Sequence, residues 1–207
     1  MRRVFLLALL ALSLPIAAWA DIIIDNQFGS VSVSNAGIVV GATQKSQLRS
    51  WGGITTGTSM GHVSFSTGSL ASGSLTTGGI FNGGGSFIVT GVGVWTQSLP
   101  GSPHGPVALF TGSFVGPVTL TLISPPGQLS LVWTLTGNIA GTLYDGRSVT
   151  GTTTQTLFSS SAQWTGGIGH IRVGSSDLTV PEPGTLGLLG SGLVGIAGMF
   201  RRKLIGA

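Results

Sequence analysis

Few residues in this sequence have the types and spacing that catalysis requires. Residues 57–61, Gly-Thr-Ser-Met-Gly, fit the G-x-S-x-G pattern of a nucleophile elbow, and His62 follows directly. In such an elbow the serine occupies a sharp turn between a hydrophobic strand and a helix. The flanking sequence predicts neither element, and glycine and serine are so abundant that one such match is expected by chance. The pattern therefore does not indicate a serine hydrolase.

The histidines do not form a recognisable metal site. His62, His104 and His170 are widely separated, and none has a partner at a spacing of two to four residues. The chain has no cysteine, which excludes a thiol nucleophile and a Cys₄ zinc site. We expect no metal and no cofactor, although sequence alone leaves open a zinc site assembled across strands.

The acidic residues also argue against an enzyme. A glycosidase needs two carboxylates flanking a cleft, and the acidic residues before the C-terminal tail are Asp21, Asp25, Asp145 and Asp177. None of these lies at the centre of a predicted strand, where a cleft would place it. Residues 190–195 fit G-x-G-x-x-G, but they lie in an apolar run without the strand–helix context of a dinucleotide site. We expect no catalytic activity.

The charge distribution separates two tails from a neutral body. The 207 residues include 9 Lys or Arg and 5 Asp or Glu, which gives a formal net charge of +4. Basic residues cluster at positions 2–3 and 201–203, whereas residues 21–180 carry four basic and four acidic side chains. A neutral body lacks the basic patch of a nucleic-acid-binding protein, so we expect no nucleic-acid partner.

Residues 21–178 are predicted to be one all-β domain, an antiparallel β-sandwich or jelly-roll-like fold. Ser, Thr and Gly make up 74 of the 160 residues between 21 and 180. Apolar residues alternate with polar ones, most clearly over residues 129–136, which predicts that Leu131, Trp133 and Leu135 face the core. Turns are predicted at residues 125–127, Pro-Pro-Gly, and at Asp145-Gly146, which is typical of a two-residue hairpin. Flexibility over residues 52–86 is an alternative.

The N-terminal segment has the three parts of a signal peptide. Two arginines precede the apolar run Val4 to Leu14, and Ala18 and Ala20 supply the small residues that signal peptidase accepts before Asp21. Residues 1–20 are therefore predicted to be removed on export. The alternative is a buried N-terminal helix of a cytosolic protein.

The C-terminal segment, residues 179–207, is predicted to contain a single transmembrane helix. Residues 184–200 carry no charge and would extend about 25 Å as a helix. Arg201, Arg202 and Lys203 follow and should stay cytoplasmic as a stop-transfer cluster. Within the run, the small residues Gly187, Ser191 and Gly195 share one helix face, which permits close packing against another membrane helix. The alternative is that small residues are simply common in membrane helices.

Val180, Pro181, Glu182 and Pro183 precede this apolar run. Together with the run and the basic cluster they resemble a PEP-CTERM protein-sorting tail. The resemblance implies recognition by an exosortase, a membrane-embedded cysteine transpeptidase of Gram-negative bacteria. It also implies transient membrane anchoring, cleavage near Pro-Glu-Pro, and delivery of the body to the cell surface or extracellular matrix. The flanking prolines favour an extended backbone that displays Glu182. An uncleaved anchor preceded by a stiff linker is the alternative.

The sequence thus predicts an exported, non-catalytic surface or matrix protein, with signal peptidase and an exosortase as its processing partners. Exopolysaccharide is a further candidate partner. A surface carbohydrate-binding module is the first alternative, because exposed tryptophans can stack on sugar rings. Each of the tryptophans between residues 21 and 180 is favoured as a core anchor, and Trp51 is the strongest candidate for an exposed one. A secreted hydrolase is the second alternative.

Overall fold

A computed structural model describes residues 21–41, 44–99, 105–124, 130–159 and 168–180. The predicted signal peptide, the chain after Val180, the turn at 125–127, His104 and Trp164 lie outside these residues. The described part from Asp21 to Val180 forms one compact unit. It contains thirteen strands and one 3₁₀ turn: β1 (Ile22–Gln27), β2 (Ser30–Ser34), β3 (Gly37–Val40), β4 (Ser46–Trp51), β5 (Ile54–Thr55), β6 (Gly61–Ser66), β7 (Leu70–Ser74), β8 (Gly78–Phe81), β9 (Gly84–Gly91), the turn (Val94–Ser98), β10 (Val107–Leu122), β11 (Leu131–Leu143), β12 (Ser148–Ser159) and β13 (Ile168–Thr179).

The predicted all-β antiparallel class is confirmed, and the alternation of residue types determines which side chains face inward. In β11, Leu131, Trp133 and Leu135 are buried, whereas Thr136 is exposed. This arrangement follows because successive side chains of a strand point to opposite faces of the sheet. The same alternation gives β12 a buried row and an exposed row of threonines.

Eight strands close into an antiparallel barrel rather than the predicted sandwich. The ring runs β1–β4–β6–β9–β10–β11–β12–β13 and returns to β1. Closure depends on β1, which pairs with β4 on one side and with β13 on the other. Because these eight strands are all paired on both sides, the ring has no open edge along which further chains could add.

Two hairpins, β2–β3 and β7–β8, lie outside the ring and pair with parts of its strands β6, β10 and β13. β2 pairs with the beginning of β13, and β3 pairs with the end of β6, so this hairpin bridges the same two strands as β1 and β4 do. The β7–β8 hairpin pairs with the second half of β10, after β9 has paired with the first half. β10 can serve two partners because it is 16 residues long.

Four phenylalanines occupy the core beneath β6, β9 and β10. Phe65 and Phe87 are stacked with ring centroids 5.5 Å apart. Phe114 meets both rings edge-on, and Phe110 meets Phe87 in the same way, at centroid distances of 5.7–6.0 Å. All four side chains are buried. Offset and edge-on contacts of this kind stabilise aromatic clusters beyond the area that they bury, so the cluster ties these three strands together.

The predicted hairpin at Asp145-Gly146 joins β11 to β12, but its loop has three residues instead of two. The Gly146 amide donates to the Leu143 carbonyl, and the Leu143 amide donates to the Arg147 carbonyl, both at 2.9 Å. The loop is longer because only Gly146 is left-handed (φ 86°), whereas the two-residue type I′ turn needs two such residues. Asp145 and Arg147 form an ion pair at 2.7 Å. Burial raises the pKa of Tyr144, the Asp145 carboxylate adds to the rise, and Arg147 opposes it.

Gly146→Ala is expected to lower the free energy of unfolding by about 1 kcal/mol. Apart from the two neighbours of Gly146 in the chain, no residue has an atom within 4 Å of a methyl group added there, so the cost comes from the left-handed backbone. Urea unfolding followed by tryptophan fluorescence measures the change. Gly146→Asn is the control and should cost less, because asparagine tolerates this conformation. Equal stability of the alanine variant and the natural chain would contradict the assigned turn.

Candidate functional site

The predicted sorting motif begins at the end of the barrel's last strand. β13 ends at Thr179, and Leu178 is completely buried. Val180 follows, is half-buried and packs against the core. It is the one residue of the predicted motif that the structure describes. The others lie outside the described residues, as do the predicted cleavage, stop-transfer and helix-packing residues: Pro181, Glu182, Pro183, Ala18, Ala20, Arg201, Arg202, Lys203, Gly187, Ser191 and Gly195.

The strand that carries the motif is paired with the strand that starts the described chain. β1 and β13 are antiparallel neighbours, and Ile22 stands opposite Leu178. We call this pair of strands the closing seam, because it joins the first and last strands of the barrel. Asp21 and Val180 therefore emerge at the same end of the barrel.

Two buried amide side chains, one from β1 and one from β12, meet across a glycine of β13. Gly174 of β13 stands between Asn26 of β1 and Gln155 of β12 in the strand register. Asn26 Nδ2 donates to Gln155 Oε1 at 2.9 Å, and Gln155 Nε2 donates to Asn26 Oδ1 at 3.2 Å. We call these two side chains the amide clamp. They can meet because Gly174 has no side chain, and a Cβ placed there would collide with Gln155 Oε1.

Hydroxyl oxygens accept from the remaining N–H donors of the clamp. Asn26 Nδ2 also donates to Ser46 Oγ at 2.8 Å, and Gln155 Nε2 donates to Thr153 Oγ1 at 2.9 Å. Ser176 Oγ donates to Thr153 Oγ1 at 2.8 Å. All five side chains are at most 1% exposed. Burial of polar groups is tolerated where they bond to one another, so this network links β1, β4, β12 and β13 inside the barrel.

The outer face of β10 to β12 carries threonines in register. Thr119 stands opposite Thr136, and Thr136 stands opposite Thr154. Two residues further along β11, Asn138 stands opposite Thr152. We call these five residues the threonine face. Two shallow grooves of about 420 and 220 Å³ lie along it, and no charged side chain lines either groove. The smaller groove is lined mainly by hydroxyl and amide groups, whereas the larger groove also includes the apolar residues Val115 and Ala140.

The residues of the G-x-S-x-G pattern do not form an elbow. Ser59 Oγ donates to the Gly61 carbonyl at 3.0 Å, and Met60 between them is completely buried. Strand β6 follows the pattern, where an elbow would have a helix. His62 and His170 are exposed. In the described ranges, no group of three or more His, Cys, Asp or Glu residues is placed to hold a metal ion.

Trp51, the strongest candidate for an exposed tryptophan, is buried. Trp51 is 3% exposed, because it ends β4 opposite Ile24 and its indole packs into the core. Trp133 is buried as predicted. The Trp95 indole is half-buried, and its Nε1 donates to the carbonyls of Met60 and Val92. None of the three tryptophans in the described residues therefore forms an exposed stacking platform.

Comparison with known families explains the segment that follows the barrel. Residues 179–203 match the sequence model described as the PEP-CTERM protein-sorting motif. The chain carries a PEP-CTERM sorting motif. A protein with this motif is exported, is anchored transiently in the membrane and is sorted by an exosortase. No curated protein and no solved structure matches the chain.

The PEP-CTERM match covers the predicted membrane segment, which the structure does not describe. Among the described residues, no helix is long and apolar enough to cross a membrane. The transmembrane helix over residues 184–200 and the signal peptide over residues 1–20 remain predictions from sequence.

Proposed function

We propose that the barrel is a non-catalytic component of the cell surface or extracellular matrix of a Gram-negative bacterium. The observation that carries this proposal is the position of the PEP-CTERM motif, which starts where β13 ends. The whole barrel lies upstream of the motif, so cleavage near the motif would release a complete folded unit. The barrel would thus be the exported product, and the segments outside it would serve its delivery.

In the proposed export route, the N-terminal segment directs export and the C-terminal segment provides the membrane anchor and the cleavage motif. Signal peptidase removes residues 1–20 after Ala20, and the apolar run 184–200 then holds the chain in the inner membrane with its basic cluster on the cytoplasmic side. The exosortase recognises Glu182 between its two prolines and cleaves near it. The neutral barrel leaves without either basic tail, which suits a component of a hydrated matrix.

Support for a non-catalytic role comes from how the polar side chains are used. The amides and hydroxyls buried in the barrel bond to one another across the closing seam. Ser59, the serine of the one nucleophile-like pattern, donates its hydroxyl to a backbone carbonyl. These groups hold the barrel closed or shape its loops, which is a structural task.

The matrix role is tested with protein recovered from outside the producing cells. We expect the released barrel to sediment with the exopolysaccharide of those cells and to leave the polysaccharide chain length unchanged. Gel filtration of the polysaccharide before and after overnight incubation measures chain length. Shortened chains would contradict the non-catalytic role and favour a secreted hydrolase.

A carbohydrate-binding module is the second candidate, and the threonine face favours it. Its smaller groove presents hydroxyl and amide groups without a charge, and these groups can exchange hydrogen bonds with a neutral glycan. The tryptophan-based argument for such a module does not apply to the described residues, so binding would rest on hydrogen bonds.

Replacing Thr136 and Thr154 together by valine is expected to weaken any glycan association about 5- to 150-fold. Each replacement removes a hydroxyl at nearly constant shape, and a hydrogen bond contributes about 0.5–1.5 kcal/mol. Sedimentation with the polysaccharide at several protein concentrations measures the change. Thr142→Val is the control, because Thr142 is exposed on β11 outside both grooves. Equal binding by all variants would contradict a role for the threonine face.

A further inference from the structure

The end of β13 is held on both sides by other strands. Leu178 stands opposite Ile22 of β1 and opposite Gly151 of β12. Thr179 still stands opposite Thr150 of β12. A Cβ placed on Gly151 would collide with the carbonyl oxygen of Asp177, so the two backbones approach each other closely at this point. The backbone of β13 is therefore not available to an enzyme up to Thr179.

Side-chain burial restrains the same residues. Leu178 is completely buried in the core, and Val180 packs against the core although it lies beyond the strand. An enzyme that cleaves a peptide bond must surround an extended stretch of backbone on both sides of that bond. Cleavage within β13 would thus require the strand to leave the closing seam and expose Leu178 to water, which is unfavourable.

We propose that the fold sets the upstream limit of exosortase cleavage, so that the bond broken lies after Val180 and the mature protein keeps all of β13. This inference rests on the proposed release by a cysteine transpeptidase. In that reaction the enzyme thiol adds to the peptide carbonyl, the C–N bond breaks, and the thiol proton passes to the amine of the departing segment. Water or a primary amine of an acceptor then takes the acyl group from the thioester and regenerates the thiol.

Only three residues, 181–183, separate the barrel from the predicted membrane segment in the sequence, which makes this limit important. The three residues 181–183 can bridge at most about 11 Å when fully extended. The exosortase must therefore reach a bond close to the end of the barrel. Residues of β13 can become accessible to the enzyme only if the closing seam opens. The accessible peptide bonds therefore lie after the end of β13.

The intact mass of the released protein identifies the bond that is broken. We expect a mature chain that begins at Asp21 and ends at Val180 or at a later residue of the motif. A released chain that ends at Thr179 or earlier would overturn the inference and leave the proposed release intact. A chain that stays full length in the membrane fraction would overturn the proposed release itself, and the inference with it.

Two variants of the full chain change the spacing between barrel and motif. Deletion of Thr179 and Val180 brings Pro181 next to Leu178 and should slow release by about ten-fold or more, because the reacting bond is displaced toward the barrel. Insertion of Gly-Ser-Gly-Ser after Val180 should leave release at least as fast as in the natural chain. Release rates come from pulse labelling and fractionation. An unaffected deletion variant, or an insertion variant that is released more slowly, would overturn the inference.

The insertion variant also controls for folding. It leaves residues 21–180 unchanged, so its released product should end within or after the inserted residues. A product ending before Val180 would show that the enzyme can cut into β13 and would overturn the proposed limit.

Discussion

Gly174→Ala is expected to destabilise the barrel by about 3 kcal/mol. The added methyl group would occupy the space in which the Asn26 and Gln155 side chains meet, and it would collide with Gln155 Oε1. Overpacking of a core costs about 1–3 kcal/mol, and each buried polar group left without a partner costs a similar amount. Urea unfolding of the purified protein measures the loss as a lower midpoint with an unchanged slope.

Two controls separate the clamp from a general effect of alanine. Gly146→Ala should cost only about 1 kcal/mol, because it strains the backbone without a collision. Gln155→Ala removes the side chain with which the methyl group collides, so adding Gly174→Ala to it should cost less than about 0.5 kcal/mol. If Gly174→Ala costs the same with and without Gln155, the amide clamp is not the reason for glycine at this position.

Glu182→Ala is expected to keep the body in the membrane fraction. Glu182 is the one charged residue between Asp177 and Arg201, so it is the one charged side chain in this segment that an enzyme could bind. Hydrogen bonds to a charged group contribute about 1.5–3 kcal/mol, which corresponds to a loss of about 10- to 100-fold in release rate. Pulse labelling followed by separation of membrane and medium measures that rate.

Asp177→Ala is the matched control for Glu182→Ala. Asp177 is also acidic and lies five residues upstream, exposed on β13. Its loss should leave release unchanged, because the body and not the motif carries it. Equal release of both variants and the natural chain would show that the glutamate is not recognised, and would favour a stiff linker before an uncleaved anchor.

Local patterns predicted the parts of the fold that depend on neighbouring residues. Leu131, Trp133 and Leu135 alternate with polar residues, and this period is sufficient to assign a strand and its buried side. Asp145-Gly146 predicted a hairpin, since glycine supplies the left-handed residue that such a turn needs. The sorting motif can also be recognised from sequence, because its three parts follow one another along the chain.

Closure of the barrel could not be predicted in the same way. It depends on the pairing of Ile22 with Leu178, two residues far apart in sequence, and no local signal distinguishes that pairing from the open edges of a sandwich. The burial of Trp51 comes from its place beside β1 and the core, and not from its own neighbours in sequence, so local sequence does not predict it. The sequence does contain one indication of the amide clamp. Gln155 lies two residues from Leu157 and therefore on the same, buried side of β12.

If an exosortase releases this barrel by acting on its PEP-CTERM motif, release must depend on that enzyme. The most direct measurement is the location of the barrel in producing cells with and without the exosortase, by fractionation and detection of residues 21–180. We expect release to the cell surface or medium when the exosortase is present. When the enzyme is absent, we expect the chain to stay in the membrane fraction. Equal release from both kinds of cell would contradict this dependence.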